Sequence, residues 1–291
     1  MSLKRKRALE DIFQSRLIKF VIGTPGVEFS VHESSFTRLS APLRALLTGG
    51  MQESIDARVV WDDLETSIFL ALVDFAYNGD YATPSLVKAS QPETSTKADS
   101  EEDCVVKTIS ISDWMKKFDG QNRRPIIYSL CKAVFEKEKK KSWDGSIGKA
   151  TYAAEMMDAN VTGHDVVFMF HAKLYTLADK YAIGQLKELC LKRIRASLLL
   201  APGNKHVLKA VRKLVCYVYE HTLHGDGLRN LVLRYCIVKI GWLKKCGFVT
   251  QMVKGLPTFA TDLLLGTPQT IFDQIMGEPW DGKGSTWSPS R

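Results

Sequence analysis

No run in the 291-residue sequence approaches the roughly 18 consecutive apolar residues of a membrane-crossing helix, so no transmembrane span and no membrane partner are expected. Cysteine is sparse. The six, at positions 104, 131, 190, 216, 236 and 246, form no C-x-x-C pair, and a chain of this length builds a core without disulfide staples. Reduced thiols in an intracellular setting, nucleus or cytoplasm, are therefore expected. Near the start, Lys4-Arg5-Lys6-Arg7 is followed by Glu10 and Asp11 and not by an apolar stretch, which argues against a secretory signal. The same tetrapeptide fits either a nuclear-import signal or an ordinary solvated terminus.

Chemistry-bearing motifs are absent as well. The sequence contains no phosphate-loop, dinucleotide-binding, zinc-protease or nucleophile-elbow pattern. Gly23-Thr24-Pro25-Gly26 lacks the lysine of a phosphate loop. The closest Cys/His grouping is Cys216, His221 and His224 with Asp226 nearby, without the tight ligand pairs of a zinc site. The carboxylate pairs Asp62-Asp63 and Glu101-Glu102-Asp103 fall at a helix cap and in a polar loop, where nothing separates two pKa values for acid–base work. A non-enzyme with no cofactor and no metal is the expectation.

What remains is ordinary globular composition: 45% apolar, 25% charged and 10% aromatic residues, enough for about two domains. The net charge is +8, and the stretch 187–213 holds eight basic residues against Glu188 alone. Within it Lys205, Lys209, Arg212 and Lys213 fall on one helical stripe, opposite Val207, Leu208, Val211, Leu214, Val215 and Val218. A solvated face is the favoured reading. The alternative is a surface for an acidic partner or nucleic acid, though no zinc finger, helix-turn-helix or aromatic-interleaved basic patch supports the latter.

Along the chain, 17–22 and 27–31 read as a hairpin joined by a turn at Thr24-Pro25-Gly26-Val27, and 57–61 as a third strand. Phe36 and Leu39 mark a short helix; Ser40 caps the next, with Pro42 in its first turn and Leu43, Leu46 and Leu47 along one side. Residues 62–77 form the clearest helix, capped by Asp62, with Leu64, Ile68, Phe69, Leu72, Val73 and Ala76 on its apolar face and Gly79 at its end. Residues 83–103 are polar and read as an exposed loop, and 125–141 as a helix ending in Lys139-Lys140-Lys141. From Asp165 the pattern is helical nearly to the end, where 277–291 read as a flexible tail.

This order resembles a BTB/POZ domain, and short motifs carry the likeness. Phe29-Ser30-Val31-His32-Glu33 resembles the family's F-x-V-H-K strand end. Ser40, Leu43 to Leu47 and Gly50-Met51-Gln52-Glu53-Ser54 resemble its S-x-x-F-x-x-M and G-x-M-x-E-S stretch. Phe75-Ala76-Tyr77-Asn78-Gly79-Asp80-Tyr81 resembles F-x-Y-T-G-x-Y, and Leu177-Ala178-Asp179-Lys180-Tyr181 with Leu186 is similar to the closing L-A-D-K-Y-x-x-x-x-L. One departure stands out: Ser15-Arg16-Leu17 puts a basic residue where the family carries an acid. The long insertion, and Tyr217-Val218-Tyr219-Glu220-His221-Thr222, are similar to fungal members.

The resemblance implies an α/β BTB/POZ-type domain, a short sheet with surrounding helices, over 15–200, interrupted at about 83–164. A basic segment 1–14 precedes it; an all-helical region 201–276 and the tail 277–291 follow. It implies a non-enzymatic protein–protein interaction module that self-associates, with homodimers common in the family, or recruits a scaffold. A narrower alternative is a substrate-receptor adaptor of a cullin ubiquitin ligase, in which Met51 fills a pocket and Glu53 orients the contact. Against it stands plain core packing, with Met51 turned inward and Glu53 solvated, and this is the favoured expectation. His32 is expected to be structural, its ring N–H meeting a backbone carbonyl.

Overall fold

A computed structural model describes residues 10–88, 107–119, 121, 126–136, 156–158 and 161–269. The basic tetrapeptide, the loop from 89 to 103, the ends of the helix expected over 125–141 and the tail 277–291 lie outside the described residues.

Strand β1 (Leu17–Ile22) sits between β2 (Val27–His32), antiparallel to it, and β3 (Arg58–Trp61), parallel to it. Its side chains alternate. Ile18, Phe20 and Ile22 are fully buried while Leu17 and Lys19 face out; Val21, on their side of the sheet, is buried as well. The hairpin forms as expected, but its turn falls one residue earlier: the Gly26 N–H donates to the Gly23 carbonyl at 2.9 Å. Both glycines stand at positive φ, so the chain bends at Gly23 and Gly26 and leaves Pro25 third in the turn.

Three short helices link the hairpin to β3: α1 (Glu33–Thr37), α2 (Ala41–Thr48) and α3 (Gln52–Ile55). The Ser40 side chain accepts from the Leu43 N–H, and Leu43 and Leu47 are buried. Helix α4 (Thr66–Asn78) begins four residues later than the pattern suggests. Asp62 does not cap it. The Leu64 N–H turns back to the Trp61 carbonyl at 3.4 Å, and the N-cap Glu65 makes no side-chain cap bond. Gly79 ends it at φ 74°, in the left-handed region. Phe69 of α4 meets Phe20, Phe29 and Phe36 with ring centroids 5.2–6.2 Å apart, and this aromatic group fills the space under the sheet.

Past α4 the chain is not structureless throughout. The two-residue strand β4 (Val87–Lys88) pairs antiparallel with β5 (Val161–Thr162), tying the two ends of the insertion together. Within it lie α5 (Ile111–Lys116) and α6 (Ile126–Cys131), the latter running into a π turn over Lys132–Glu136. Among the described residues seven helices follow: α7 (His164–Lys180), α8 (Gly184–Leu200), α9 (Lys205–His221), α10 (Gly227–Val238), α11 (Ile240–Lys245), α12 (Phe248–Gly255) and α13 (Pro257–Gly266). None of the described helices is long and apolar enough to cross a membrane.

Helix α7 is the hinge of the packing, lying against α4, α8 and α9. Leu174, Leu177 and Ala178 are buried and Asp179 and Lys180 are exposed, the division expected for this segment. Tyr181, just past its end, stacks on Trp61 of β3 with centroids 4.8 Å apart. Across residue 200, Thr176 bonds Tyr217 at 2.8 Å and the Tyr175 hydroxyl donates to Asp226 at 2.8 Å. Helix α9 buries Val207, Val211, Leu214, Val215 and Val218 with Lys205, Lys209 and Lys213 on its outer side. A buried trio holds the last helix: Asp262 of α13 accepts from Arg229 at 2.9 Å and from Tyr219 at 3.1 Å. The architecture is thus mixed α/β, a small three-stranded sheet with many helices.

Candidate functional site

The segment from Gly49 to Ser54 is built around an arginine from a distant part of the chain. Arg16, the residue before β1, donates to the carbonyl of Leu47 at 2.7 Å and to that of Ser54 at 3.0 Å. Its Nε pairs with the Glu33 carboxylate at the start of α1. One guanidinium therefore joins the ends of α2 and α3 to the start of α1. The fork geometry of its five donors suits this work. The basic residue that departs from the family pattern is the one that positions this loop.

Held from beneath at Ser54, the loop turns Met51 outward. Met51 precedes α3 in an extended conformation, φ −75° and ψ 169°, and is 58% exposed; Ile55, one turn on, is 68% exposed. The expectation that Met51 packs inward is overturned. The inward position of this helix belongs to Ser54, which is 7% exposed. Glu53 is half-buried and not fully solvated. Met51 and Ile55 stand at the spacing of one helix face, with Ile55 absent from the sequence expectation, while Glu53, two positions from each, lies on the same short element but off that face.

The other residues singled out in the sequence do not converge. His32 is structural, but its partner is a side chain: the Tyr77 hydroxyl lies 2.8 Å from Nδ1 and accepts from the His32 backbone N–H at 3.0 Å. His221 stacks on Tyr217 with centroids 4.1 Å apart, and His224 faces Asp262 at 3.5 Å. Among the described residues no three histidines, cysteines or carboxylates gather as metal ligands. Asp63 faces Lys180 at 3.7 Å, and Glu65 pairs with Lys173. These pairs rim an open groove of about 400 Å³ whose wall includes Trp61 and Tyr181.

Sequence reasoning missed a buried polar cluster where the insertion leaves the first unit. The Tyr81 hydroxyl lies 2.9 Å from His171 Nδ1 and 3.5 Å from Cys190 Sγ. Arg193 covers the Tyr81 ring at 4.0 Å and bonds the Tyr81 carbonyl and Asp80. His171 is fully buried, and among the described residues its Nε2 has no hydrogen-bond partner. Burial, with the nearby Arg193 charge, pushes the ring down to about 3, so it stays neutral. Burial also raises the Cys190 thiol to about 12, which leaves it protonated and unreactive. The cluster is a joint between elements. No signal in the sequence links residues 90 to 113 positions apart, although Tyr81 lies in a quoted motif and Arg193 in the basic stretch.

Compared with known proteins, the chain matches no protein-family model and no curated protein.

Proposed function

We propose that this protein is a non-enzymatic protein–protein interaction module of BTB/POZ type. The strand order β2-β1-β3, the three short helices and the α4–Gly79 end occur in the order that the quoted motifs imply. The observation that carries the interaction role is the outward Met51 beside Ile55, two large apolar side chains on a loop braced by Arg16. A rigid, exposed apolar anchor with an acidic neighbour is the kind of feature that concentrates binding energy. The nucleic-acid alternative for the stretch 187–213 loses support, because Lys187, Arg193 and Lys213 are engaged in internal ion pairs.

The exposure of Met51 also favours the narrower reading, recruitment of a cullin scaffold through Met51 and Glu53. Its test is co-purification of wild-type protein and of the Met51→Ala/Glu53→Ala variant with a cullin. Binding lost with an unchanged circular dichroism spectrum and melting midpoint supports recruitment. A wild-type protein that never co-purifies with a cullin removes it and leaves the general interaction role, which sedimentation measurements of self-association then address.

A further inference from the structure

Between residues 187 and 261 there are 14 lysines and arginines against Glu188, Glu220 and Asp226, a net +11 in a chain whose total is +8. Eight of these basic residues fall into two contrasting groups. Lys187 pairs with Asp179 and Asp226, Arg193 with Asp80, Lys213 with Asp165, and Arg229 with Asp262. Lys205, Lys209, Lys244 and Lys254 are exposed, and among the described residues none of them has a carboxylate partner.

The packing brings this second group to one seam. Gly203, just ahead of α9, lies against Trp242 of α11, where an added Cβ would stand 3.2 Å from the indole. Further along α9, Arg212 bonds Gln251 of α12. Trp242 of α11 and Gln251 of α12 therefore both lie beside the stretch 203–212, which carries Lys205 and Lys209. Lys244 follows Trp242 by two residues, and Lys254 stands one turn beyond Gln251.

We infer that the seam of α9, α11 and α12 is a docking surface for an acidic protein segment. Charge complementarity selects an anionic partner, since several unneutralised cations side by side repel one another until an anion arrives. The details favour carboxylates over a phosphate backbone. The Arg212 guanidinium, the only forked donor on the seam, is engaged by Gln251. The first-turn amides of α9 are capped by Asn204, whose carbonyl oxygen takes the Val207 N–H at 2.8 Å. The aromatic rings here, Trp242 and Phe248, are buried and offer no face for base stacking.

The test uses the full chain and two labelled probes of about equal charge, a poly-glutamate peptide and a short DNA duplex, near 50 mM and near 200 mM salt. The seam variant is Lys205→Glu/Lys209→Glu/Lys244→Glu. Its control, Arg38→Glu/Arg44→Glu/Lys117→Glu, changes net charge equally on exposed positions of other elements. Poly-glutamate should bind the wild type more tightly than DNA does, weaken at least about tenfold in the seam variant, and change less than about threefold in the control. Equal losses in both variants, tighter binding of DNA, or no binding of poly-glutamate at the lower salt would each overturn the assignment. Circular dichroism checks the fold, and the glutamine version of the seam variant replaces it if the reversal unfolds the chain. Met51 and Glu53 lie on other elements, so the result is independent of the proposal for that loop.

Discussion

The Arg16 guanidinium donates to the Ser54 carbonyl at 3.0 Å across 38 residues of chain, and this bond holds the loop bearing Met51. A second bond to the Leu47 carbonyl and the Glu33 pair leave the side chain little freedom. Arg16→Ala should remove the brace while sparing the sheet. We expect a loss of about 1–2 kcal/mol in chemical denaturation, because charged hydrogen bonds are replaced partly by water. Amide exchange at Ile55 and Asp56 should accelerate with β1 unaffected. Unchanged exchange at both would show that the loop holds itself.

Leu72 is fully buried on the inner face of α4. Leu72→Ala should cost about 2–5 kcal/mol, the transfer term plus the cavity left in the core. Urea denaturation measures it, and a loss below about 1 kcal/mol would place α4 on the surface.

His171 makes stability depend on pH. Its ring is near 3 in the fold and titrates at its ordinary value, about 6.5, once unfolded, so below 6.5 the unfolded chain binds the extra proton. Stability contributed by the neutral ring is whole above 6.5 and falls as pH drops toward 3, by up to about 1.4 kcal/mol per unit. His171→Leu should flatten this slope between pH 6.5 and 4.5 while lowering stability at neutral pH, because Tyr81 loses its partner. Denaturation curves for both proteins over that window would refute the assignment if their slopes coincided.

Lys239 follows the same linkage at higher pH, since burial disfavours its cation as it does that of His171. It is 9% exposed, its ammonium donates to the Ile109 carbonyl at 2.8 Å, and burial lowers it from 10.5 to about 8. Between pH 8 and 10.5 the unfolded chain holds more protons, so wild-type stability should rise with pH there; below 8 the full penalty of a buried cation stands. Lys239→Met should raise the midpoint at pH 7 and abolish the rise above pH 8. A lower midpoint at pH 7 would mean that the Ile109 bond outweighs the desolvation cost.

Much of this fold is legible locally. The hairpin, the Ser40 cap, Gly79 and the buried stripe of α9 follow from period, cap chemistry and the left-handed conformation, each decided by a few neighbouring residues. The start of α4 misled because Asp62 and Glu65 satisfy a capping pattern that the Trp61–Leu64 turn pre-empts. Met51 misled for a related reason: the segment that carries it is tied at Ser54 by Arg16, 38 positions away, a partner that local spacing does not reveal. The Tyr81–His171–Arg193 cluster was illegible because its members are brought together only by helices that follow the insertion.

That separation sets a clock on synthesis. Arg193 reaches the Tyr81 carbonyl across 112 residues, and at roughly 5–20 residues per second the ribosome needs about 6–22 s to supply the second partner after the first. During that interval the ring of Tyr81, the Trp61 face that Tyr181 will stack on, and the inner side of α4 are without their later neighbours. A nascent chain stalled before α7 should consequently be bound by chaperones and cut readily by protease, while one stalled after α8 has emerged should resist both.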